Sequence, residues 1–336
     1  MLFLLALVVK RENGGRKMRK NVLRGLVGLV AIGLLVGCGN KEKSSDEGMQ
    51  KVGILQYMEH KSLDKAREGF IAELKDEGYE DGKNIKIDSL NSQGDQANLK
   101  SMSEKLVKEK SDVILTIATP AAISVATETT DIPILFTAVT DAVSAGLVES
   151  NEKPGKNITG TSDMVPIDKQ TNLLLSIVPD AKTIGIIYNS SEENSVIQAK
   201  LAKKAIEKKG VKVKEATVTS TNDVQQVMTS LAGEVDGVYI PTDNTLANTM
   251  STVGEIAKNK KLPIVTGAAE DVKVGALATY GIDYEKLGRQ TGKLAVKMLK
   301  GEANPTDLPV ETSTDLELVV NEEMAEALGI DPATIK

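Results

Sequence analysis

The feature of this sequence that most limits its fold is a regular alternation of short Val- and Ile-rich runs with longer amphipathic segments. The runs that predict strands are residues 51–57, 84–90, 112–118, 132–137, 182–188, 211–218, 236–240, 262–266, 276–280 and 316–320. The segments that predict helices include 63–77, 96–109, 194–209, 224–232, 246–258 and 284–299. Strands that alternate with helices form parallel sheets through right-handed crossovers, with helices on both sheet faces. The sequence therefore predicts an α/β fold built from doubly wound parallel sheets.

The two halves of the chain repeat each other. Val52-Gly-Ile-Leu resembles Ile184-Gly-Ile-Ile, and Ile132-Pro-Ile-Leu-Phe resembles Leu262-Pro-Ile-Val-Thr, in each case about 130 residues later. Generic strand composition accounts for part of this similarity, but so constant an offset favours two similarly wound lobes over one long sheet. A chain of 336 residues is also long enough for about two domains.

The N-terminal region carries the signature of export. From Met18 the chain has a basic start and an apolar run of 13 residues that ends just before Cys38. That run is shorter than the ~20 residues of a membrane-spanning helix, so residues 1–37 are interpreted as a signal peptide, with Met18 as the suspected start. The residues from Leu35 to Cys38 resemble the bacterial lipobox, whose cysteine is lipidated, although an incidental thiol is the alternative. Residues 38–50 then form the lipidated cysteine and a flexible tether.

Charge and composition exclude several classes of function. Without residues 1–37 the chain holds 34 basic and 46 acidic side chains, and this acidic balance argues against nucleic acid or anionic lipid as a partner of the body. One Cys and one His exclude an intrachain disulfide and a histidine metal cluster, and a Ser-His-Asp triad would require His60. The phosphate-binding, nucleophile-elbow and zinc-protease motifs are absent from the sequence. A binding cleft is therefore a simpler interpretation than an active site.

Ligands of open α/β sheets lie beyond the carboxyl ends of the strands, so the loops after the predicted strands are the candidate site. Thr119 is predicted as a helix N-cap, with Pro120 in the first helical position. The free amides of Ala121 and Ala122, together with the helix dipole, would hold an anion such as a carboxylate. Ordinary helix capping explains the same residues without a ligand.

The equivalent loops of the second half are strongly polar. In residues 189–195, Ser191 or Asn194 could cap a helix, with Glu192 and Glu193 near its positive end, or the same groups could recognise a polar ligand.

Other candidates also have a structural alternative. Asp141, Asp243 and Asn244 could accept hydrogen bonds from an ammonium group or could simply form local turns. Tyr57 and Phe136 could present ring faces to a ligand or pack in the core. His60 is interpreted as an exposed loop residue rather than a catalytic base. The full set of candidate ligand-binding residues is Gln56, Tyr57, Thr119, Pro120, Ala121, Ala122, Phe136, Thr140, Asp141, Asn189, Glu192, Asn194, Ser195, Thr242, Asp243 and Asn244.

Many short stretches together resemble one known family, the substrate-binding lipoproteins of bacterial ABC importers, typified by tryptophan and tyrosine binders. The stretches that carry the resemblance include 52–56, 63–64, 78–84, 91–95, 118–122, 136–141, 154–160, 188–195, 241–244, 278–288, 308–311 and 319–321. Ala142 and Lys61 depart from it, since proline is usual at both positions. The resemblance spans roughly residues 51 to 330.

The resemblance implies a type I periplasmic-binding fold, in which a three-segment hinge joins two lobes. Lobe 1 would contain residues 51–160 and 282–309, and lobe 2 would contain residues 161–281 and 310–336. It also implies a small-molecule ligand, such as an aromatic or hydrophobic amino acid, that favours closure because only the closed state lets it contact both lobes. The amides of Ala121 and Ala122 would hold its carboxylate, Asp141 or Glu192 its ammonium group, and Tyr57 or Phe136 would lie beside its side chain.

The same resemblance implies a binding protein that needs no cofactor and catalyses no reaction. It would serve the permease subunits of an ABC transporter from the outer face of the cell membrane, held there by lipid on Cys38. Three alternatives remain at this point: a metabolite-sensing repressor, which would need an N-terminal helix-turn-helix; a surface enzyme, which would need a catalytic group such as His60; and a binding protein that serves a chemoreceptor.

Overall fold

The structure, a computed structural model, describes residues 48–313 and 316–336. The predicted signal peptide, the lipidation site Cys38 and most of the tether lie outside the described residues. Within the described ranges, no helix is long and apolar enough to cross a membrane.

Twelve strands and eleven α-helices make up the described part of the chain. The strands are β1 Gln50–Gln56, β2 Ile85–Asn91, β3 Val113–Ile117, β4 Ile134–Val139, β5 Ile158–Ser162, β6 Thr183–Asn189, β7 Lys212–Val218, β8 Gly237–Ile240, β9 Ile264–Thr266, β10 Ala278–Gly281, β11 Glu311–Thr312 and β12 Glu317–Val320. The helices are α1 Lys61–Asp76, α2 Gln96–Lys108, α3 Thr119–Glu128, α4 Ile167–Ile177, α5 Glu193–Glu207, α6 Thr221–Leu231, α7 Asn244–Asn248, α8 Met250–Lys260, α9 Ala269–Val274, α10 Tyr284–Leu299 and α11 Glu322–Leu328.

The strands form two six-stranded sheets with the same internal order. The first sheet runs β11-β5-β4-β3-β1-β2 and the second runs β12-β10-β9-β8-β6-β7. All pairings are parallel except that of β12 with β10. In each sheet the order reverses beside the first strand of the lobe, which is the point where ligands of such sheets bind. The prediction of two doubly wound parallel lobes is confirmed.

Buried apolar strands form the centre of each lobe. Every residue of β3, β4 and β8 is buried, as expected for strands covered by helices on both faces. In the first lobe α1 packs against α10 on one sheet face, and α2 packs against α3. In the second lobe α4 packs against α5, and α6 packs against α8.

Some elements were not predicted from the sequence. Strand β5, Ile-Thr-Gly-Thr-Ser, is fully buried although three of its five residues are polar. Its threonines find partners inside the fold: the Thr161 hydroxyl lies 2.7 Å from the Thr291 hydroxyl, and the Thr159 hydroxyl donates to Leu308 O. A search for apolar runs misses such a strand because most of its side chains are polar. Their burial is possible only because distant segments supply hydrogen-bond partners. The predicted helix at 246–258 is in fact two helices, α7 and α8, which meet at Thr249.

Within the described ranges the chain changes lobe three times. It leaves the first sheet after Ser162 and returns after Gly281 to form α10, and of the last two strands β11 lies in the first sheet and β12 in the second. One predicted lobe boundary is wrong: the sequence analysis assigns Glu311 and Thr312 to lobe 2. They pair instead with Thr161 and Ser162, as the edge strand of the first sheet.

Candidate functional site

The loops that follow the strands of the two lobes meet in a cleft and contact each other directly. The Thr140 hydroxyl lies 3.3 Å from the Thr242 hydroxyl, and Gln198 Nε2 donates to Thr140 Oγ1 at 3.1 Å. At another point Asn248 Nδ2 donates to the carbonyl of Glu59 at 2.7 Å. The structure therefore shows a cleft whose two walls are in contact.

Two recesses remain along this cleft, and residues of both lobes line each of them. The inner cavity has a volume of about 20 Å³, enough for one water-sized group. Its lining comprises His60, Ser62, Leu63, Ala138, Thr140, Asp163, Asn194, Thr242, Asp243, Asn244, Ala247, Ala268, Asp271 and Tyr284. The outer groove measures about 450 Å³ and lies mostly between α2 and α3 of the first lobe, where Thr119 and Pro120 line it, and Ser191 and Glu193 of the second lobe complete it.

The N-terminus of α3 is built differently from the prediction. Ala118, and not Thr119, is the N-cap, and its φ of +83° is a conformation that L-residues rarely adopt. The Ala122 amide donates to Ala118 O at 3.1 Å, so this amide is not free for a ligand. The Thr119 side chain is 3% exposed, and its hydroxyl has no partner within the described chain. Ala121 is the third residue of the helix, so its amide precedes the first helical hydrogen bond.

Glu192 is held by the start of the neighbouring helix α7. Its carboxylate accepts hydrogen bonds from the amides of Asn244 and Thr245, from the Thr245 hydroxyl at 2.9 Å and from Asn244 Nδ2. Burial, together with the charge of Asp243, raises the pKa of Glu192 to about 7. Glu192 is also the N-cap of α5 in place of the predicted Ser191 or Asn194, though its side chain does not cap that helix.

Asp243 and residues 189–195 form hydrogen bonds that hold together the second lobe's side of the cleft. Asp243 caps α7 by accepting from the Leu246 amide at 2.8 Å, and it also accepts from the Asn189 amide at 2.6 Å. Burial raises the pKa of Asp243. Asn194 donates to the carbonyl of Thr242 at 2.8 Å and to the Ser195 hydroxyl at 3.2 Å. The predicted residues Asn189, Glu192, Asn194, Ser195, Thr242, Asp243 and Asn244 are thus brought together in one network.

Three predicted site residues line neither the inner cavity nor the outer groove. The Asp141 carboxylate accepts from the Ser144 amide and hydroxyl in its own turn. Gln56 donates to the carbonyl of Met58 and accepts from Arg67 Nη1, which fixes the loop between β1 and α1. Phe136 is fully buried in the core of the first lobe. None of the three lines the inner cavity or the outer groove.

Tyr57 lies at the end of β1 and is buried against the other lobe's acids. Burial, with further contributions from Glu192 and Asp243, raises the pKa of its phenol above the ordinary value. The ring is 4% exposed, so it belongs both to the core and to the wall of the cleft.

Several polar residues of the inner cavity were missed by the sequence reasoning. Asp163 accepts from the Tyr284 hydroxyl at 2.8 Å and from the Thr140 hydroxyl at 3.1 Å, and burial raises its pKa. Burial lowers the pKa of His60, which is therefore a neutral wall of the cavity rather than an exposed loop residue. Burial also raises the pKa of Asp271 to about 8. The position of Asp271 in a loop after a predicted strand was a usable signal, but nothing in the sequence shows that it is buried.

The buried acids of the cleft have no basic partner. In the described chain, no ion pair joins Asp163, Glu192, Asp243 or Asp271 to a lysine or arginine. In the same described residues, no group of three or more His, Cys, Asp or Glu side chains is placed to hold a metal ion. The cleft therefore contains buried carboxyl groups whose charge no basic side chain of the described residues balances.

Comparison with known proteins agrees with this geometry. Residues 51–333 match the family described as ABC transporter substrate binding protein. The chain belongs to this family. The resemblance predicted from the sequence is thereby confirmed.

Three relatives show what this substrate-binding protein is similar to. It is 43% identical over 314 residues to a tyrosine-binding protein of Clostridioides difficile (strain R20291), covering 91% of each chain. It is 41% identical to a Streptococcus pneumonia ABC domain solved in complex with L-Trp, with a TM-score of 0.80 and coverage of 84% of this chain and 95% of that one. It is 46% identical to the ligand-free, open structure of a substrate-binding protein with adhesive properties from Clostridium difficile, with a TM-score of 0.65 and coverage of 84% and 96%.

Proposed function

We propose that this substrate-binding protein captures an α-amino acid with an aromatic side chain, L-tyrosine or L-tryptophan, between its lobes and delivers it to the permease of an ABC importer. The observation that carries the proposal is a cleft with buried carboxyl groups that lack basic partners and, on the opposite wall, a helix N-terminus with an unpartnered hydroxyl. A zwitterion complements both features at once.

The anionic half of the ligand suits the start of α3. The Thr119 hydroxyl, together with the Ala121 amide and the positive end of the helix dipole, forms a site for a carboxylate. Ala118 is held at a positive φ directly before this site, and such conformations concentrate where a backbone is shaped for binding.

The cationic half suits the acids of the inner cavity. A buried carboxylate without a cation costs free energy, which appears here as raised pKa values of Asp163, Asp243 and Asp271, the three acids that line this cavity. A ligand ammonium group would offset this cost only while the cleft is closed, so its binding would favour closure.

An aromatic side chain is supported by the relatives and by the space available. The curated relative at 43% identity is a tyrosine-binding protein, and the structure at 41% identity holds L-Trp. The outer groove of about 450 Å³ is large enough for such a side chain, and the Tyr57 ring lies nearby in the cleft wall.

The shape of the protein supports capture by closure. Its TM-score is higher against the L-Trp complex than against the open, ligand-free structure, although it is more similar in sequence to the latter. Thr140 contacts Thr242 across the cleft, so the cleft is closed. In a closed cleft a bound solute contacts both lobes.

Substrate-binding proteins of ABC importers work outside the cytoplasm, and the N-terminal sequence fits that location. We infer that residues 18–37 direct export and that Cys38 carries the lipid anchor. Mass spectrometry of the N-terminal peptide of membrane-extracted protein tests this. A lipid-modified Cys38 is expected, and a full-length N-terminus with an unmodified thiol would reject the anchor.

Isothermal titration calorimetry with the 20 amino acids tests the ligand class. Tyrosine or tryptophan should bind most tightly, and the Thr119→Val variant should weaken that binding about tenfold, since it loses a hydrogen bond to a charged group. Thr229→Val is the matched control, because its hydroxyl bonds to its own helix at Gln225 O, away from the cleft. Absence of heat with all 20 amino acids would reject the proposal.

A further inference from the structure

The inner cavity is lined by hydrogen-bond acceptors that the protein leaves without donors, and Asp271 is the most prominent of them. Asp271 lies on α9 and is 4% exposed. In the described part of the chain, no donor reaches its carboxyl group and no lysine or arginine pairs with it. The other buried acids differ, since Glu192 and Asp243 bind amides and Asp163 binds two hydroxyls.

His60 presents a second acceptor, and a chain of contacts fixes its tautomer. Asn244 Nδ2 donates to Glu192, which turns Asn244 Oδ1 toward the imidazole. That oxygen lies 3.1 Å from His60 Nε2, so Nε2 must carry the proton. Burial lowers the pKa of His60, and a neutral ring leaves Nδ1 as a bare acceptor. His60 Nδ1 is buried and has no partner within the described residues.

Asn194 supplies a third acceptor. Both partners of its side chain, Thr242 O and Ser195 Oγ, accept from Nδ2, so the amide orientation is fixed. The remaining Oδ1 is buried and unpartnered in the described structure, and the residue is 4% exposed. The Ser62 hydroxyl, on the same cavity wall, is likewise unpartnered and can act as donor or acceptor.

From this arrangement we infer that the inner cavity is a primary-ammonium site, in which the Asp271 carboxylate, His60 Nδ1 and Asn194 Oδ1 each accept one N–H. The inference rests on the proposed function and names Asp271, rather than Glu192 or Asp141, as the counter-ion of the ligand's amine.

The count, the charge and the size agree with an ammonium group. An –NH₃⁺ group has three donors and no acceptor, which matches three unpartnered acceptors. A water molecule brings only two donors and no charge, whereas a cation would hold Asp271 as a carboxylate although burial raises its pKa to about 8. The cavity of about 20 Å³ fits one group of this size. A metal ion is disfavoured, since the described residues contain no suitable ligand cluster.

Calorimetry with ligand analogues on the full-length protein tests this site. L-Tyrosine and L-tryptophan should bind about 100-fold more tightly than 3-(4-hydroxyphenyl)propionate and indole-3-propionate, which lack only the amine. Asp271→Asn should abolish this preference and leave the affinity for the two propionates unchanged. The propionates thereby serve as an internal control for folding of the variant. Glu270→Gln, which removes the neighbouring acid paired with Lys273, should keep the preference.

Two results would overturn the inference. One is equal affinity for the amino acids and the propionates, which would leave an aromatic solute site without an ammonium site. The other is an equal loss of affinity for both ligand types in Asp271→Asn. Failure of every amino acid to bind would instead reject the proposed function, and the ammonium site would then be decided by a second measurement.

The single histidine makes that second measurement direct. In ¹⁵N-histidine-labelled protein only His60 contributes ring signals, and Nδ1 should shift upfield when an N–H bonds to it. L-Tyrosine should cause this shift, and methylammonium chloride should cause it even if no amino acid binds. Tetramethylammonium chloride, which has no N–H, should not. A Nδ1 signal that none of these amines moves, or that moves equally with tetramethylammonium, would refute the site.

Discussion

At the scale of single residues, the cleft is defined by which polar atoms are satisfied and which are not. Glu192 and Asp271 are both buried acids near the start of a helix that follows a strand, yet Glu192 accepts several hydrogen bonds and Asp271 accepts none from the described residues. A satisfied acid holds the protein together, whereas an unsatisfied one is available to a ligand. This difference separates the structural acids of the cleft from the acid proposed to bind.

Asp271 should make the ligand-free protein less stable as pH rises. Its folded pKa of about 8 lies above the ordinary value of 3.8, because of burial and of the charges of Asp243 and Glu270. The folded state therefore holds a proton that the unfolded state has lost, and this stabilisation disappears as pH rises through the folded pKa. Between about pH 7 and pH 9 the free energy of unfolding should fall by roughly 1 kcal/mol through this group.

Urea unfolding at these two pH values measures the effect. Asp271→Asn should remove most of the decrease. Glu270→Gln should retain most of it, because burial, and not the charge of Glu270, is the first cause of the raised pKa of Asp271. The window lies above the lowered pKa of His60 and at or above the pKa of about 7 of Glu192, so Glu192 contributes only the smaller part of the decrease. An unchanged decrease in Asp271→Asn would assign the pH dependence to other groups.

At the scale of secondary-structure elements, close contact between α1 and α10 shapes the first lobe. A Cβ atom on Gly288 would lie 1.9 Å from Ala66 O, and one on Gly69 would lie 2.0 Å from Glu285 O. The two helices therefore touch backbone to backbone, which only glycine permits. Because α1 carries His60 at its N-cap and α10 begins at Tyr284, this contact also positions two walls of the inner cavity.

Substitution of Gly288 by Ala should separate these helices. The free energy of unfolding should fall by about 3 kcal/mol, at the upper end of what overpacking usually costs, because the clash is with backbone. Chemical denaturation gives this value. Gly233→Ala is the matched control, since its nearest atom would be 3.6 Å away, and it should change stability little. Equal stability of both variants would mean that the helices adjust without cost.

At the scale of the whole molecule, the two lobes repeat one winding and close on each other through polar contacts. Thr140 contacts Thr242 and Gln198, and Glu59 contacts Asn248, so these contacts join segments of the two lobes that lie more than 50 residues apart in the chain. Such small polar contacts hold the lobes weakly, so a solute that contacts both lobes can shift the balance between open and closed forms.

A disulfide across the cleft should lock it and block solute entry. Thr140 and Thr242, whose hydroxyls lie 3.3 Å apart, are replaced by Cys in a chain that also carries Cys38→Ser, which removes the only natural thiol. After oxidation, binding of L-tyrosine should be at least about tenfold slower, since entry needs an open cleft. Stopped-flow binding with and without reductant measures this. Each single-Cys variant is a control, and unaltered kinetics in the oxidised protein would show that solutes enter without opening.

The sequence by itself determined the α/β class, the two repeated lobes and the loops that form the cleft. These features follow from local periodicity: burial on both sheet faces requires continuous apolar runs, and parallel strands require helical crossovers between them. The family, with its substrate-binding role, was also predictable from short stretches spread over the body. The signal peptide and Cys38 lie outside the described residues and stay predictions, as do the ligand-binding residues.

Only the tertiary structure decided how the polar groups of those loops are used. Thr119 was a reasonable N-cap by residue type, but the backbone at Ala118 begins the helix one residue earlier and leaves the Thr119 hydroxyl unpaired. Asp141 and Glu192 were reasonable partners for an amine, but their hydrogen bonds are already made. The donors at or below 3.2 Å from Glu192 come from residues more than 50 positions away, and residues of both lobes line the cavity that contains Asp271. Hydrogen-bond satisfaction depends on which segments meet in space, and local sequence does not contain that information.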